Sequence, residues 1–329
     1  MKRPIVLILF LILVLAFFAG CNATEPVPVV TAPPSRAFVE EVPVIYASSV
    51  ETRVIAPPTR VVTPLPERVA APSERAVMPF AVTVAPPTTR LPVLAYHSIL
   101  GAQWYYPYNV GNPWILSEDV FAEQMRYLYE NGYTTISAAQ LYGFLFADYD
   151  LPPNAVLITF DDGYLDNAVY AAPIMREFGF TGIIFVITGL IADEPGELTA
   201  EATMQWLSYA DMYAIADVFE FGSHTHDMHH LEGNTPALLL EPISEIRADL
   251  QRSFEFPLID IQAGFAYPFG RHSGNAMEAL RAEGVPFAFV TSWGYVERDS
   301  NPLLLHRFSV TSEHDMAWFS RVVSGDWVS

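Results

Sequence analysis

A barrel of seven to eight parallel strands, each followed by a helix and closed or nearly so, is the architecture that this 329-residue sequence predicts. Three observations lead there. Short apolar runs alternate with segments of helical periodicity over residues 91–329, the order of a parallel sheet flanked by helices. One run, Ala155-Val156-Leu157-Ile158-Thr159-Phe160, is bounded by Pro152-Pro153-Asn154 and by Gly163, so it reads as a buried strand with Asp161-Asp162 at its C-terminal end. Another, Val218-Phe219-Glu220-Phe221-Gly222, opens onto Ser223-His224-Thr225-His226-Asp227-Met228-His229-His230. Barrel proteins collect their chemistry at C-terminal strand ends, where carboxylates and imidazoles are concentrated in this chain.

The chain begins with Lys2-Arg3, an apolar run over residues 5–19 and small residues before Cys21. That order is a secretory signal, and the run is short for a membrane span. Phe18-Ala19-Gly20-Cys21 is similar to a bacterial lipoprotein cleavage box, which implies a signal segment over 1–21 and a lipid on Cys21. The expectation is an exported protein on the outer face of the cell membrane or in the envelope, touching membrane only through that terminus. Residues 22–90 contain thirteen prolines and no glycine, with Ala-Pro-Pro at Ala32, Ala56 and Ala85. Such a segment has no period long enough to build a core and reads as an extended, disordered tether. As coil it spans roughly 45–50 Å, and as polyproline II about 210 Å.

The compact domain, 91–329, opens with a strand at 91–97 that ends in Tyr96-His97. Trp104, Tyr105, Tyr106, Tyr108 and Trp114 follow in what reads as a polar loop, too many aromatics for all to be buried, where they would form a ligand-binding rim. Ser117 is the N-cap of a helix with Phe121, Met125 and Leu128 on one face, ending at Asn131-Gly132. A strand at 134–136 and a helix at 138–146 precede the aspartate strand, and a helix over 168–178 stops at Gly179. Further strands are expected at 183–188, 218–222, 264–267 and 287–291, with helices at 242–254 and 275–284 and a late strand at 305–310.

Composition removes whole classes of chemistry. Lys2 is the one lysine and Cys21 the one cysteine, so Schiff-base catalysis, a P-loop lysine, thiolate zinc and internal disulfides are excluded. A metal site here has only imidazole, carboxylate and water to draw on. Residues 91–329 hold nine arginines and 31 acidic groups, a net charge of −22, which repels nucleic acid. No obligate protein partner is implied. Adjacent carboxylates at one strand end and clustered imidazoles at another are the parts of a His/Asp metal site, in which one aspartate binds the ion and its neighbour moves protons. Any two of the four histidines in 224–230 could converge on such an ion.

The sequence resembles the polysaccharide deacetylase family, the carbohydrate esterases that share the NodB homology domain, over residues 91–329. The resemblance rests on Thr159-Phe160-Asp161-Asp162-Gly163, the histidine cluster, Ala266-Tyr267-Pro268-Phe269-Gly270 and Leu304-Leu305-His306-Arg307. It implies a distorted (β/α) barrel, with Asp161 as base and Asp162 as ligand of a divalent metal. Zinc is the first expectation, with cobalt, nickel or manganese as alternatives. Most members space their metal histidines four residues apart, but Met228 stands there. A branch acting on poly-N-acetylglucosamine uses a five-residue gap, which implies His224 and His229. Ala266 occupies the place of a common arginine, so Arg307 is expected to steady Asp161. The Phe269 backbone N–H is implied for the oxyanion and His306 for the general acid, while Tyr267, Trp293 and His97 are expected against the substrate. The resulting expectation is a metal-dependent hydrolase that removes N-acetyl groups from an acetylated polysaccharide. Its alternatives are an O-acetyl xylan-type esterase, a peptidoglycan deacetylase or, in another class, a non-catalytic glycan-binding module.

Overall fold

The computed structural model describes residues 85–199 and 204–328. The expected signal segment 1–21, and the expected tether as far as residue 84, lie outside them. Seven strands run β1 (Val93–Tyr96), β2 (Ala155–Phe160), β3 (Gly182–Val186), β4 (Phe219–Ser223), β5 (Phe265–Ala266), β6 (Ala288–Phe289) and β7 (Phe308–Ser309). Each pairs in parallel with the next in chain order up to β6, and β7 returns to pair with β1. The bridge between Phe289 and Leu305, just before β7, joins the two ends of this path. The expected parallel barrel is present. Thr134–Thr135 adds a short parallel pairing at the start of β2.

The period-two alternation of strands divides the core. Leu94, Tyr96, Val156, Ile158, Phe160, Ile184 and Val186 pack with Phe121, Met125, Leu128 and Phe319 of the surrounding helices. The intervening positions, Val93, Leu157, Ile183, Phe185, Phe289 and Leu305, form a second cluster, which includes Leu141 and Phe144 of helix Ala138–Phe146. Thr159, Asp161 and Arg307 share the parity of that second set, so strand geometry alone turns two charged side chains inward. Ser117 and Gly179 act as the sequence leads one to expect, and a further cap at Ser137 joins them. Ser117 Oγ accepts from Val120 N, Ser137 and Gln140 form a reciprocal capping box, and Gly179 ends helix Ala172–Phe178 in the left-handed conformation.

Two expectations need correcting. The aromatic segment is not a loop, because Ala102–Tyr108 is a helix whose start is held by Trp104 N and Tyr105 N donating to Gly101 O. It buries none of its residues and contains Pro107, so neither periodicity nor propensity announces it. The chain also joins the barrel before residue 91. Thr88 Oγ1 donates to Pro152 O and accepts from Ala155 N, and the Arg90 guanidinium lies 4.3 Å from the centroid of the Tyr295 ring.

Candidate active site

Asp161 and Asp162 leave the same strand in different directions. Asp161 continues the inward parity of β2, whereas Asp162 takes a positive φ of 73° and is followed by Gly163 at 79°. Aspartate tolerates the left-handed region better than most residues. A Cβ on Gly163 would lie 3.0 Å from Val186 Cγ1, a tight contact added to the strain that any side chain meets at this positive φ. Arg307, fully buried from β7's leading edge, donates from Nη1 to Asp161 Oδ1 at 2.7 Å and from Nη2 to Oδ2 at 2.8 Å. Burial would raise the Asp161 carboxyl. The Arg307 charge and hydrogen bonds, with smaller help from His224 and His97, outweigh it and hold the group well below the usual carboxylate range. Thr159 Oγ1 and Val290 O accept further donors of the guanidinium, and the rings of Phe185 and Phe289 flank it.

Asp162 meets the histidines instead. Its Oδ1 lies 3.5 Å from His224 Nε2 and 3.4 Å from His229 Nε2, and three such atoms all fall within 4.8 Å of one another. Asp162 Oδ1 is buried and has no hydrogen-bond partner. His224 Nδ1 lies 2.7 Å from Ala266 O, a contact that requires Nδ1 to carry the proton and donate. Burial lowers His224 to about 4, so at neutral pH its Nε2 presents a bare lone pair to a bare carboxylate oxygen. Two facing acceptors repel unless a cation sits between them. Ligands held about 2.0–2.1 Å from a tetrahedral ion stand about 3.4 Å apart, the separation found for both Asp162–His pairs. The donor set therefore fits a divalent metal, and the backbone carbonyl on Nδ1 is the outer-shell partner that metal histidines usually have.

These side chains open onto a cavity of about 530 Å3 at the C-terminal strand ends. Its walls include His97, Asn112, Trp114, Tyr164, Phe269 and Thr291. Residues 148–288 match the family model for polysaccharide deacetylase. The Bacillus subtilis protein YxkH, named a polysaccharide deacetylase, is 30% identical over 222 residues, covering 68% of this chain and 72% of that one.

The chain belongs to the polysaccharide deacetylase family.

A poly-beta-1,6-N-acetyl-D-glucosamine N-deacetylase of Staphylococcus aureus is 27% identical over 168 residues, which cover 49% of this deacetylase and 56% of the staphylococcal protein. Among solved structures, IcaB from Ammonifex degensii superposes with a TM-score of 0.60 at 24% identity, over 73% of this chain and 99% of that one. The Streptococcus pyogenes deacetylase PplD, in complex with acetate, gives 0.58 at 22% identity, over 72% and 99%. These two likenesses support the barrel fold.

Not every residue singled out in the sequence of the deacetylase reaches its cavity. Asp161, Asp162, His224, His229, His97 and Phe269 line it. Phe269 sits at φ 58° with its ring 4.5 Å from that of His229, and the following Gly270 packs where a Cβ would collide with Thr291. His306 lines a neighbouring cavity of about 590 Å3, across the wall formed by Phe269, Gly270 and Thr291. There its Nδ1 meets Ser292 Oγ at 2.8 Å. Trp293 packs among Phe308, His314, Trp318 and Trp327 and lines neither cavity. Tyr267 is fully buried beside Phe265 and has no part in either wall. It follows β5 directly and keeps the parity of Phe265, so it joins the cluster of Leu250, Phe265 and Leu280 on the helix side and turns away from the cavity. Of the aromatic segment, Trp114 alone reaches the cavity that holds Asp161 and Asp162, with its ring 4.8 Å from that of His97.

Tyr164 escaped the sequence reading, although it follows the aspartate motif directly. Burial and the adjacent Asp162 carboxylate push its hydroxyl up, so it is a neutral group in the cavity wall. Asp166 escaped it as well. Its carboxyl accepts from Ser98 Oγ at 2.6 Å, Ile99 N at 3.1 Å and Asn167 Nδ2 at 2.8 Å, and Asn167 Nδ2 also donates to His97 O. This network holds the backbone that carries His97.

Burial raises Asp166 to about 7. A folded-state value above the unfolded one means that this group's contribution is fully present below about pH 4 and is lost as pH rises through about 7. At about 1.4 kcal/mol per pH unit, that loss is at most about 4 kcal/mol. Asp166→Asn, which keeps one acceptor and adds a donor for Ser98, should flatten the fall in stability between pH 4 and 7. Denaturant unfolding across that range measures it, and an unchanged slope would remove Asp166 as the source.

Proposed function

We propose that this polysaccharide deacetylase hydrolyses N-acetyl groups on an N-acetylglucosamine-containing polysaccharide, using a divalent metal held by Asp162, His224 and His229. The observation that carries the reading is the meeting of the unpartnered Asp162 Oδ1 with two imidazole nitrogens, beside an Asp161 clamped in its ionised form. Zinc suits a site of two imidazoles and one carboxylate, with cobalt, nickel or manganese as substitutes. A bound ion supplies an acidified water and a polarised acetamide carbonyl, which a base held as low as Asp161 requires.

Asp161 takes the proton of the attacking water, and Arg307 keeps that carboxylate ionised and oriented. Phe269 stands in the cavity wall at φ 58°, and its backbone N–H is the group that the family resemblance gives to the developing oxyanion. The leaving amine needs a proton, since an amide anion is too basic to depart unaided. His97 is the better donor than His306. It shares the cavity with Asp161, and its Nδ1 is buried without a partner. His97→Gln should therefore cost about 10²–10⁴-fold in turnover with metal content unchanged, while His306→Gln changes turnover little. The reverse ranking would return the acid role to His306.

The relative named for poly-beta-1,6-N-acetyl-D-glucosamine supports an N-acetylated glucosamine polymer as the substrate. Export through the 1–21 signal, a lipid at Cys21 and a tether over 22–90 would suit an enzyme working on such a polymer. Among the described residues no helix is long and apolar enough to cross a membrane. Acetate release is the test, assayed on poly-N-acetylglucosamine, peptidoglycan glycan strands and O-acetyl xylan, with and without a chelator. Release from xylan alone would replace the amide reading with the ester one. Release that survives full removal of metal would overturn the metal-dependent reading, and none from any substrate would favour the non-catalytic module.

A further inference from the structure

The five-residue interval between His224 and His229 obliges the chain to leave the barrel and come back within one short loop. We propose that Asp249, on helix Ile243–Phe254, is the positioning residue that fixes this loop and so sets the metal-ligand geometry. The inference rests on the metal reading given above.

The side chain of Asp249 faces inward from its helix and is 1% exposed. Its Oδ1 accepts from His226 N at 2.8 Å, and its Oδ2 accepts from Asp227 N at 2.8 Å. One carboxylate thus ties two successive backbone N–H groups in the middle of the interval. Those groups are at the point of greatest need. Thr225, a β-branched residue, is held at φ 76°, a strained conformation that persists only where its surroundings enforce it. On the other side of the loop, Thr188 N donates to Thr225 O at 3.1 Å and Gly189 N donates to His226 O at 2.9 Å. Met228, four positions after His224, is buried with Leu238, Ile246 and Leu250.

The extra residue is absorbed in this way. Met228 stands where a shorter spacing would put the second ligand, and it points into the apolar cluster instead. The next residue, His229, comes back with Nε2 3.4 Å from Asp162 Oδ1. Met228 supplies an anchor without direction, because apolar packing is non-directional. Direction comes from the two hydrogen bonds to Asp249, which are charge-assisted and short. Arg252, the nearest cation, stands 3.7 Å from Asp249 Oδ2 on the exposed side and holds neither N–H group.

The test is zinc titration of metal-free Asp249→Asn and Asp249→Ser against a competing chelator, paired with thermal unfolding of each protein with and without zinc. Asparagine retains one acceptor and sets an N–H2 against the other backbone donor, so it disrupts half of the clamp. Partners of this outer kind are usually worth about 10–100-fold in metal affinity. Zinc affinity should fall by that factor in Asp249→Asn and by at least as much in Asp249→Ser. The stability gained on adding zinc should shrink accordingly, since that gain follows the affinity. Arg252→Ala should keep wild-type affinity. Variants that lose stability equally with and without zinc, or that bind zinc as the wild type does, would overturn the proposal. A wild-type protein that binds no zinc, cobalt, nickel or manganese would instead overturn the metal reading, and this inference with it.

Discussion

Asp161→Asn should lower turnover by about 10²–10⁴-fold, the usual cost of removing a general base, while the protein still takes up its metal. His224→Ala should lose both. The two aspartates are neighbours in sequence, yet their oxygens are committed to different partners. Both oxygens of Asp161 receive Arg307, whereas Oδ1 of Asp162 receives no donor and faces two imidazole nitrogens. An asparagine at 161 keeps the shape but cannot accept a proton at neutral pH. It also leaves the Arg307 charge buried without a counter-ion, and breaking a buried pair from one side typically costs about 3–5 kcal/mol. Activity must therefore be measured well below the variant's unfolding temperature, with metal content determined on the same sample. Equal metal loss in Asp161→Asn and His224→Ala would show that Asp161 is a ligand and that the division of roles is wrong.

The barrel was legible because its signals are local and periodic. Proline, asparagine and glycine bracket β2, and Ser117 caps its helix where the sequence places it. The meeting of Asp162 with His224 and His229 in the candidate site was legible for a related reason: aspartates and histidines at strand ends have few structural uses. What stayed hidden depends on three-dimensional parity. The family resemblance sent both His306 and Arg307 to the site, but local pattern could not separate them: one step along the chain sends Arg307 to Asp161, as expected, and His306 to a different cavity. The same rule turns Tyr267 into the core while Phe269, after a backbone turn, reaches the cavity. Asp249 lies 25 positions after His224, on a helix whose other features are those of any amphipathic helix, so its hold on the histidine loop had no sequence signal.

Arg307→Met should produce a stability deficit that grows with pH and an acid limb of activity displaced to higher pH. In the wild type, burial works against the charged form of Asp161, and the guanidinium more than offsets it. The folded-state value is depressed, so the pair's contribution is present above the unfolded value of about 3.9 and is lost only as pH falls through the lower folded one. With methionine at 307 the burial remains and the cation does not. The carboxyl then titrates above its unfolded value, and its contribution is lost as pH rises instead. Wild type and variant should thus differ little near pH 3, where the variant's Asp161 is protonated, and by about 3–5 kcal/mol near pH 7, where an unpaired charge is buried. Catalysis should follow the same titration, since a protonated Asp161 cannot take the water's proton. Arg307→Lys separates charge from shape. Its point charge keeps much of the pH dependence near wild type but cannot donate to both oxygens as the planar fork does, so its turnover should fall between wild type and methionine. Denaturant unfolding at several pH values and a pH–rate profile make the measurement. A deficit that does not vary with pH, together with an unmoved acid limb, would mean that Arg307 fills space in the barrel without governing the charge of the base.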